Sequence, residues 1–205
     1  ATPEQRRRGK QLVAQAVAAH GGAAKIAATR VSELDGDMHM NIAGQQLAIH
    51  HPHRVKSLAL FCATPGFKGE QGKRWLRDAA QRGMRAAFGE TINDRLPVGE
   101  ADPQLIAWVL DEICKNDLDF LARFVGYWTD TEFMDELSAI KCPTLIVAPG
   151  AEPIGAISIY DEMIKRIRGA ELVVYENARH NVYDYLPDRC VADVLKFHAR
   201  HFPAA

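Results

Sequence analysis

Hydrophobic positions change their rhythm several times along this chain. Leu12, Val13, Ala16, Val17 and Ala19 recur at helical spacing, so residues 4–29 read as helical. Gly21-Gly22 breaks that run, and a short second helix over 23–29 follows. Residues 31–47 carry two patterns. Met38, Met40 and Ile42 alternate with Asp37, His39 and Asn41, as in a half-buried strand. Ile42, Ala43, Leu47 and Ala48 instead open a helix that ends before Pro52. The run Val55-Lys56-Ser57-Leu58-Ala59-Leu60-Phe61-Cys62 is apolar nearly throughout, as an interior parallel strand should be. Ala63-Thr64-Pro65-Gly66 closes it with loop chemistry.

From 70 to 136 the spacing is helical. Trp75, Leu76, Ala79, Met84 and Phe88 come first, then Leu105, Ile106, Trp108, Val109 and Ile113, then Leu118, Leu121, Phe124 and Val125. Asp102 before Pro103 predicts an N-cap followed by a first-turn proline. A second strand spans 140–150. Ile159, Met163, Ile164 and Ile167 mark a helix closed by Gly169. Leu172-Val173-Val174-Tyr175 is a third strand, and Val191, Val194, Leu195 and Phe197 mark a last helix. This alternation predicts a parallel sheet. Ligands of such sheets bind beyond the carboxyl ends of the strands, which directs attention to 62–67, 149–155 and 177–185.

Composition narrows the classes. The 205 residues are 47% hydrophobic and 25% charged, ordinary for a folded chain. Lys+Arg number 25 and Asp+Glu 26, so no basic excess draws the chain to nucleic acid, and Arg6, Arg7, Arg8 and Lys10 read as a solvated helix end. No apolar stretch approaches the ~20 residues of a membrane span. No signal-peptide pattern opens the chain, which begins at Ala1. Cys62, Cys114, Cys142 and Cys190 are widely spaced, which argues for buried thiols in a reducing compartment, hence the cytoplasm. His50, His51 and His53 cluster without a carboxylate or thiol at ligand spacing. No phosphate-binding glycine loop is present, so neither a metal nor a cofactor is expected.

Two polar groups stand out in the predicted loops. Glu152 follows the second strand and His180 the third. A carboxylate bonded to an imidazole fixes its tautomer and stabilises it when it takes a proton. The segment 140–150, with Pro143-Thr144-Leu145, followed by 169–175 and Ala178-Arg179-His180, resembles the α/β-hydrolase superfamily. So does His51-Pro52-His53-Arg54-Val55-Lys56-Ser57-Leu58. The resemblance covers roughly 48–202. It implies that His180 is the catalytic base, with Arg179 replacing the usual Gly before it, and that Glu152 is the orienting acid. It also implies that 67–136 form a helical cap. Trp75, Trp108 and Trp128 in that region are candidate pocket residues, with core packing the plainer reading for most of them.

The same resemblance puts the nucleophile elbow at Gly36-Asp37-Met38-His39-Met40. Met38 stands where Ser belongs, and a thioether has no proton to lose. None of Ser32, Ser57, Ser138 and Ser158 lies in an elbow pattern. Cys62, ending the first clear strand, is the substitute nucleophile, although a buried structural thiol is the plainer reading. About 35 residues precede the elbow position, fewer than the family's first strands need, and those strands supply an oxyanion-hole amide. Residues 12–22 and 31–40 are similar instead to the start of periplasmic outer-membrane lipoprotein-type β-sheet proteins, which would favour the periplasm.

The expectation is therefore a three-layer α/β fold with a mostly parallel sheet, helices on both faces and a helical cap insert. Its parts are 1–66, 67–136 and 137–205. The function implied is hydrolysis of a small apolar carboxylic ester or enol-lactone, with the nucleophile either a non-standard residue or a water activated by His180. The alternative is a degenerate or truncated hydrolase-fold protein that binds a small apolar ligand or a partner. A homodimer is possible in either case.

Overall fold

A computed structural model of the chain describes residues 37–66 and 71–203. The helices expected over 4–29 lie outside those residues.

Three strands form one parallel sheet in the order β1-β2-β3: Leu58–Phe61, Thr144–Pro149 and Glu171–Tyr175. Leu58 pairs with Thr144, and Leu145 with Glu171. β2 is central and all six of its residues are buried. That explains its unbroken apolar run: a strand covered on both faces has no solvent side on which to place polar residues.

Side chains alternate across the sheet and feed two cores. On one face Leu58, Leu60, Ile146 and Ala148 pack with Ala48 and Ile49, and with Tyr160, Met163 and Ile167. On the other Leu145, Val147 and Tyr175 pack with Val182, Cys190 and Phe197. The first face is covered by α1 (Asp37–His50) and by α6 (Ile157–Arg166), which connects β2 to β3. The second is covered by α7 (Val182–Tyr185) and α8 (Pro187–His201). The result is the expected three layers. Each fully buried large side chain, such as Phe197, contributes about 1.5–3 kcal/mol of transfer free energy.

Local signals set the helix ends. α6 stops where the Ile167 amide bonds the Met163 carbonyl, and Gly169, at φ 75°, turns the chain toward β3. Between β1 and β2 lie α2 (Gln71–Arg82), α3 (Met84–Arg95), α4 (Pro103–Ile113) and α5 (Leu118–Asp130). The predicted cap of α4 is present, with Asp102 Oδ1 accepting the Gln104 amide at 2.8 Å. Ile92, Leu96, Ala101 and Val109 form a separate small core, against which Tyr185 packs. At Gly72 a Cβ would fall 2.8 Å from Val125, so glycine there lets α2 lie close to α5. Among the described residues no helix is long and apolar enough to cross a membrane.

The alternation at 37–42 predicted a strand, whereas the structure has helix from Asp37 onward. The helical alternative holds, and it begins five residues before Ile42. Its inward positions are Ile42, Gln45, Ala48 and Ile49. Gln45 is wholly buried, with Nε2 donating to the Thr64 carbonyl at 3.2 Å. This polar residue on the core face interrupts the apolar stripe of the helix at position 45. The lipoprotein-type resemblance loses its strand at 37–40, and the rest of it falls outside the described residues. β1 and β2 are also shorter than the apolar runs that announced them. Pro143 has no N–H to donate to the ladder, and its carbonyl accepts the Leu58 amide at 3.0 Å, at the strand start.

Candidate active site

The loops leaving β2 and β3 are stitched together by their backbones. Gly150 N donates to Tyr175 O at 2.8 Å and Ala151 N to Ala178 O at 3.0 Å. A Cβ on Gly150 would sit 3.0 Å from Tyr175 O and from the Glu176 Cα, so the absence of a side chain permits this approach. The Arg179 guanidinium adds a bond to the Ala151 carbonyl at 3.4 Å.

This junction brings Glu152 and His180 together. His180 Nδ1 lies 2.6 Å from Glu152 Oε2. The other carboxylate oxygen accepts the Ile154 amide at 2.8 Å and the Gly155 amide at 3.3 Å. The carboxylate is thus held from both ends, and its side chain is 1% exposed, while that of His180 is 19% exposed. A carboxylate can only accept, so Nδ1 carries the proton and the Nε2 lone pair is left for other partners.

The histidine loop has further supports that are not visible in the sequence. The Tyr185 hydroxyl accepts the Arg179 amide at 2.6 Å and donates to the Arg179 carbonyl at 3.2 Å. His180 N donates to Asp94 O at 3.2 Å and Asn181 N to Arg95 O at 3.0 Å. The last turn of α3 therefore clamps the loop directly. Asn177, at φ 59°, makes the left-handed turn that leads into it.

Cys62 directly follows β1 at the same sheet edge, also at positive φ (53°). It is 5% exposed. Burial pushes its thiol far above the ordinary value, the Val182 amide opposes that, and the charge of Glu152 adds to it. Tyr160 is fully buried, and its hydroxyl has no hydrogen-bond partner among the described residues. Burial, then Glu152 and Cys62, raise its pKa, so it remains a neutral phenol. Thr64, after β1, comes close to Gly155: its methyl lies 3.5 Å from where a Gly155 Cβ would sit.

Met38 falls in the first turn of α1, the helix that leads through Pro52–Arg54 to β1. Trp75 packs edge-on against Phe88 with ring centroids 3.9 Å apart. Trp108 is 55% exposed on α4. The His51 and His53 rings meet at 6.2 Å, and among the described residues no three His, Cys, Asp or Glu side chains converge as a metal site.

No protein-family model matches the chain, and no curated protein does. Solved structures do. An enol-lactonase from Burkholderia xenovorans LB400 aligns at 21% identity with a TM-score of 0.70, covering 77% of this chain and 61% of the enzyme. A hydrolase from Pseudomonas aeruginosa PA01 aligns at 23% identity and TM-score 0.65, covering 77% and 60%. An esterase from Exiguobacterium antarcticum aligns at 16% identity and TM-score 0.69, covering 75% and 61%. A further neighbour is itself described as an α/β-hydrolase enzyme. The chain carries the α/β-hydrolase fold, and it spans about three-fifths of the length of these proteins.

Proposed function

We propose that the chain hydrolyses carboxylic esters or lactones, with His180 as general base and Glu152 as the carboxylate that orients it. The observation carrying this reading is the 2.6 Å bond between Glu152 and His180 Nδ1, set beyond the carboxyl ends of β2 and β3. In that arrangement Nε2 removes a proton from the attacking group, and the imidazolium formed is stabilised by Glu152. Nε2 then returns the proton to the departing alkoxide. Water is the nucleophile in this scheme, because the Met38 thioether has no proton to lose and the Cys62 thiol is buried and held protonated. Residues 67–136 serve as the cap, and the clamp of α3 on the histidine loop is the contact that supports this. The names of the structural neighbours, an enol-lactonase, an esterase and an N-acyl homoserine lactone degrading enzyme, agree with the substrate class.

Met38 also favours a second reading, in which the site binds an ester-like ligand without turning it over. Hydrolysis of short p-nitrophenyl esters and of a simple lactone separates the two. The wild-type chain is compared with His180→Ala and Cys62→Ala, each checked by circular dichroism. The proposal expects His180→Ala to lose about 10²–10⁴-fold in rate and Cys62→Ala to keep activity. Turnover unchanged in folded His180→Ala overturns it. Ester binding without turnover in the wild type establishes the second reading.

A further inference from the structure

Arg95 ends α3 at the point where that helix clamps the histidine loop, its carbonyl accepting the Asn181 amide at 3.0 Å. Its guanidinium is held on one side only. Nη1 reaches the Thr91 hydroxyl at 3.2 Å and the Thr91 carbonyl at 3.4 Å, and the cation sits 5.2 Å above the Phe88 ring. The Nε and Nη2 donors have no partner among the described residues, and no carboxylate there lies within ion-pair distance. Four arginines, Arg82, Arg85, Arg166 and Arg200, close on carboxylates, while Arg179 bonds the Ala151 carbonyl and Arg189 lies over the Tyr175 ring. Loss of water lowers the pKa of Arg95, against the fields of Asp94, Tyr183 and Glu152. Glu152 pairs with His180 rather than with Arg95, and its oxygens accept from His180, Ile154 and Gly155.

A half-buried guanidinium whose Nε and Nη2 edge meets no other described residue presents a fork of donors that matches an oxyanion in geometry. The Glu152 charge is already present, so a singly charged carboxylate suits the site better than a doubly charged phosphate. We propose that Arg95 binds a carboxylate on the ligand, so that the site takes esters or lactones carrying a second, free carboxylate group. The word substrate here rests on the hydrolase reading above, but the binding itself does not.

The test uses probes that resist hydrolysis. Binding of glutaramate (the monoamide monoanion), neutral glutaramide and inorganic phosphate is measured by calorimetry on the full chain. The same measurement is made on Arg95→Met, which keeps an apolar stem over Phe88, and on Arg95→Lys, which keeps the charge and loses the fork. The wild type should prefer glutaramate to glutaramide by roughly 10-fold or more, with phosphate weaker than glutaramate. Arg95→Met should erase that preference, and Arg95→Lys should retain part of it. If Arg95→Met fails to fold, the partial loss in Arg95→Lys carries the test. Equal binding of the two probes by the wild type, an undiminished preference in folded Arg95→Met or Arg95→Lys, or tighter binding of phosphate overturns the proposal. An Arg95-dependent preference in a chain without esterase activity sinks only the hydrolase reading. Esterase activity with no charge preference sinks only this one.

Discussion

Glu152→Gln separates the orienting role of Glu152 from its structural one. The carboxamide matches the carboxylate in shape. Its oxygen can still accept the Ile154 and Gly155 amides, which now lie 2.8 and 3.3 Å from Oε1. The reverse orientation would point an NH2 group at two backbone donors and is disfavoured. The amide nitrogen therefore faces His180 Nδ1, where 2.6 Å currently separates the ring from an acceptor. Two donors cannot share that contact. The neutral imidazole moves its proton to Nε2, and the lone pair needed for base catalysis turns inward. The structural cost is modest: bonds to a charge, worth about 1.5–3 kcal/mol, become neutral ones worth about 1 kcal/mol. A net loss of about 1–2 kcal/mol lowers Tm by roughly 2–8 °C in a domain of this size. The catalytic cost is far larger, since a wrong tautomer in a Ser-His-Asp triad costs about 10⁴-fold. The assay pairs ester kinetics with nitrogen-15 NMR of the imidazole, which reports the tautomer directly and without turnover. The reasoning is refuted if Nε2 already carries the proton in the wild type, or if the tautomer is the same in both proteins.

Two further outcomes follow from other parts of the structure. Gly150→Ala places a Cβ 3.0 Å from Tyr175 O and the Glu176 Cα, so the two loops must separate by a few tenths of an ångström. Urea unfolding should show a loss of about 1–3 kcal/mol, and no loss would mean that the junction is slack. Arg82 bonds both Asp78 and Glu90, and these bonds hold the two carboxyls below their ordinary values of 3.8 and 4.5. Depressed folded values contribute stability above that range and lose it as pH falls through it. Urea unfolding between pH 3 and pH 7 should therefore show Arg82→Gln less stable than the wild type near neutrality, with the gap closing in acid. A gap independent of pH would remove the ion pairs as its cause.

The sheet was legible in the amino-acid order because double-sided burial leaves a contiguous signature: Leu145 to Ala148 lie wholly inside. α6 and α4 were legible for a similar reason. Their signals, a 3.6-residue rhythm and an Asp102-Pro103 cap, are local. Glu152 and His180 could each be placed after a strand, and their position at the carboxyl edge followed from the alternation of elements. That they meet, 28 positions apart, was implied only by a resemblance until the register of β2 and β3 brought the two loops side by side.

The rest was decided by tertiary contacts with no local trace. Gln45 is polar and buried on the core-facing side of α1, so the sequence left strand and helix both open there and the packing chose helix. Asp94 and Arg95 hold the histidine loop through backbone carbonyls, which every residue type possesses, so composition cannot reveal them. Tyr185 bonds the Arg179 backbone through a hydroxyl that any surface tyrosine also carries. By itself, then, the sequence determined the strands, most of the described helices and the edge where chemistry belongs, because burial imprints a period on neighbouring residues. Only the tertiary structure showed that Glu152 meets His180 and that the end of α3 holds the histidine loop, because those contacts depend on distances between segments remote in the chain.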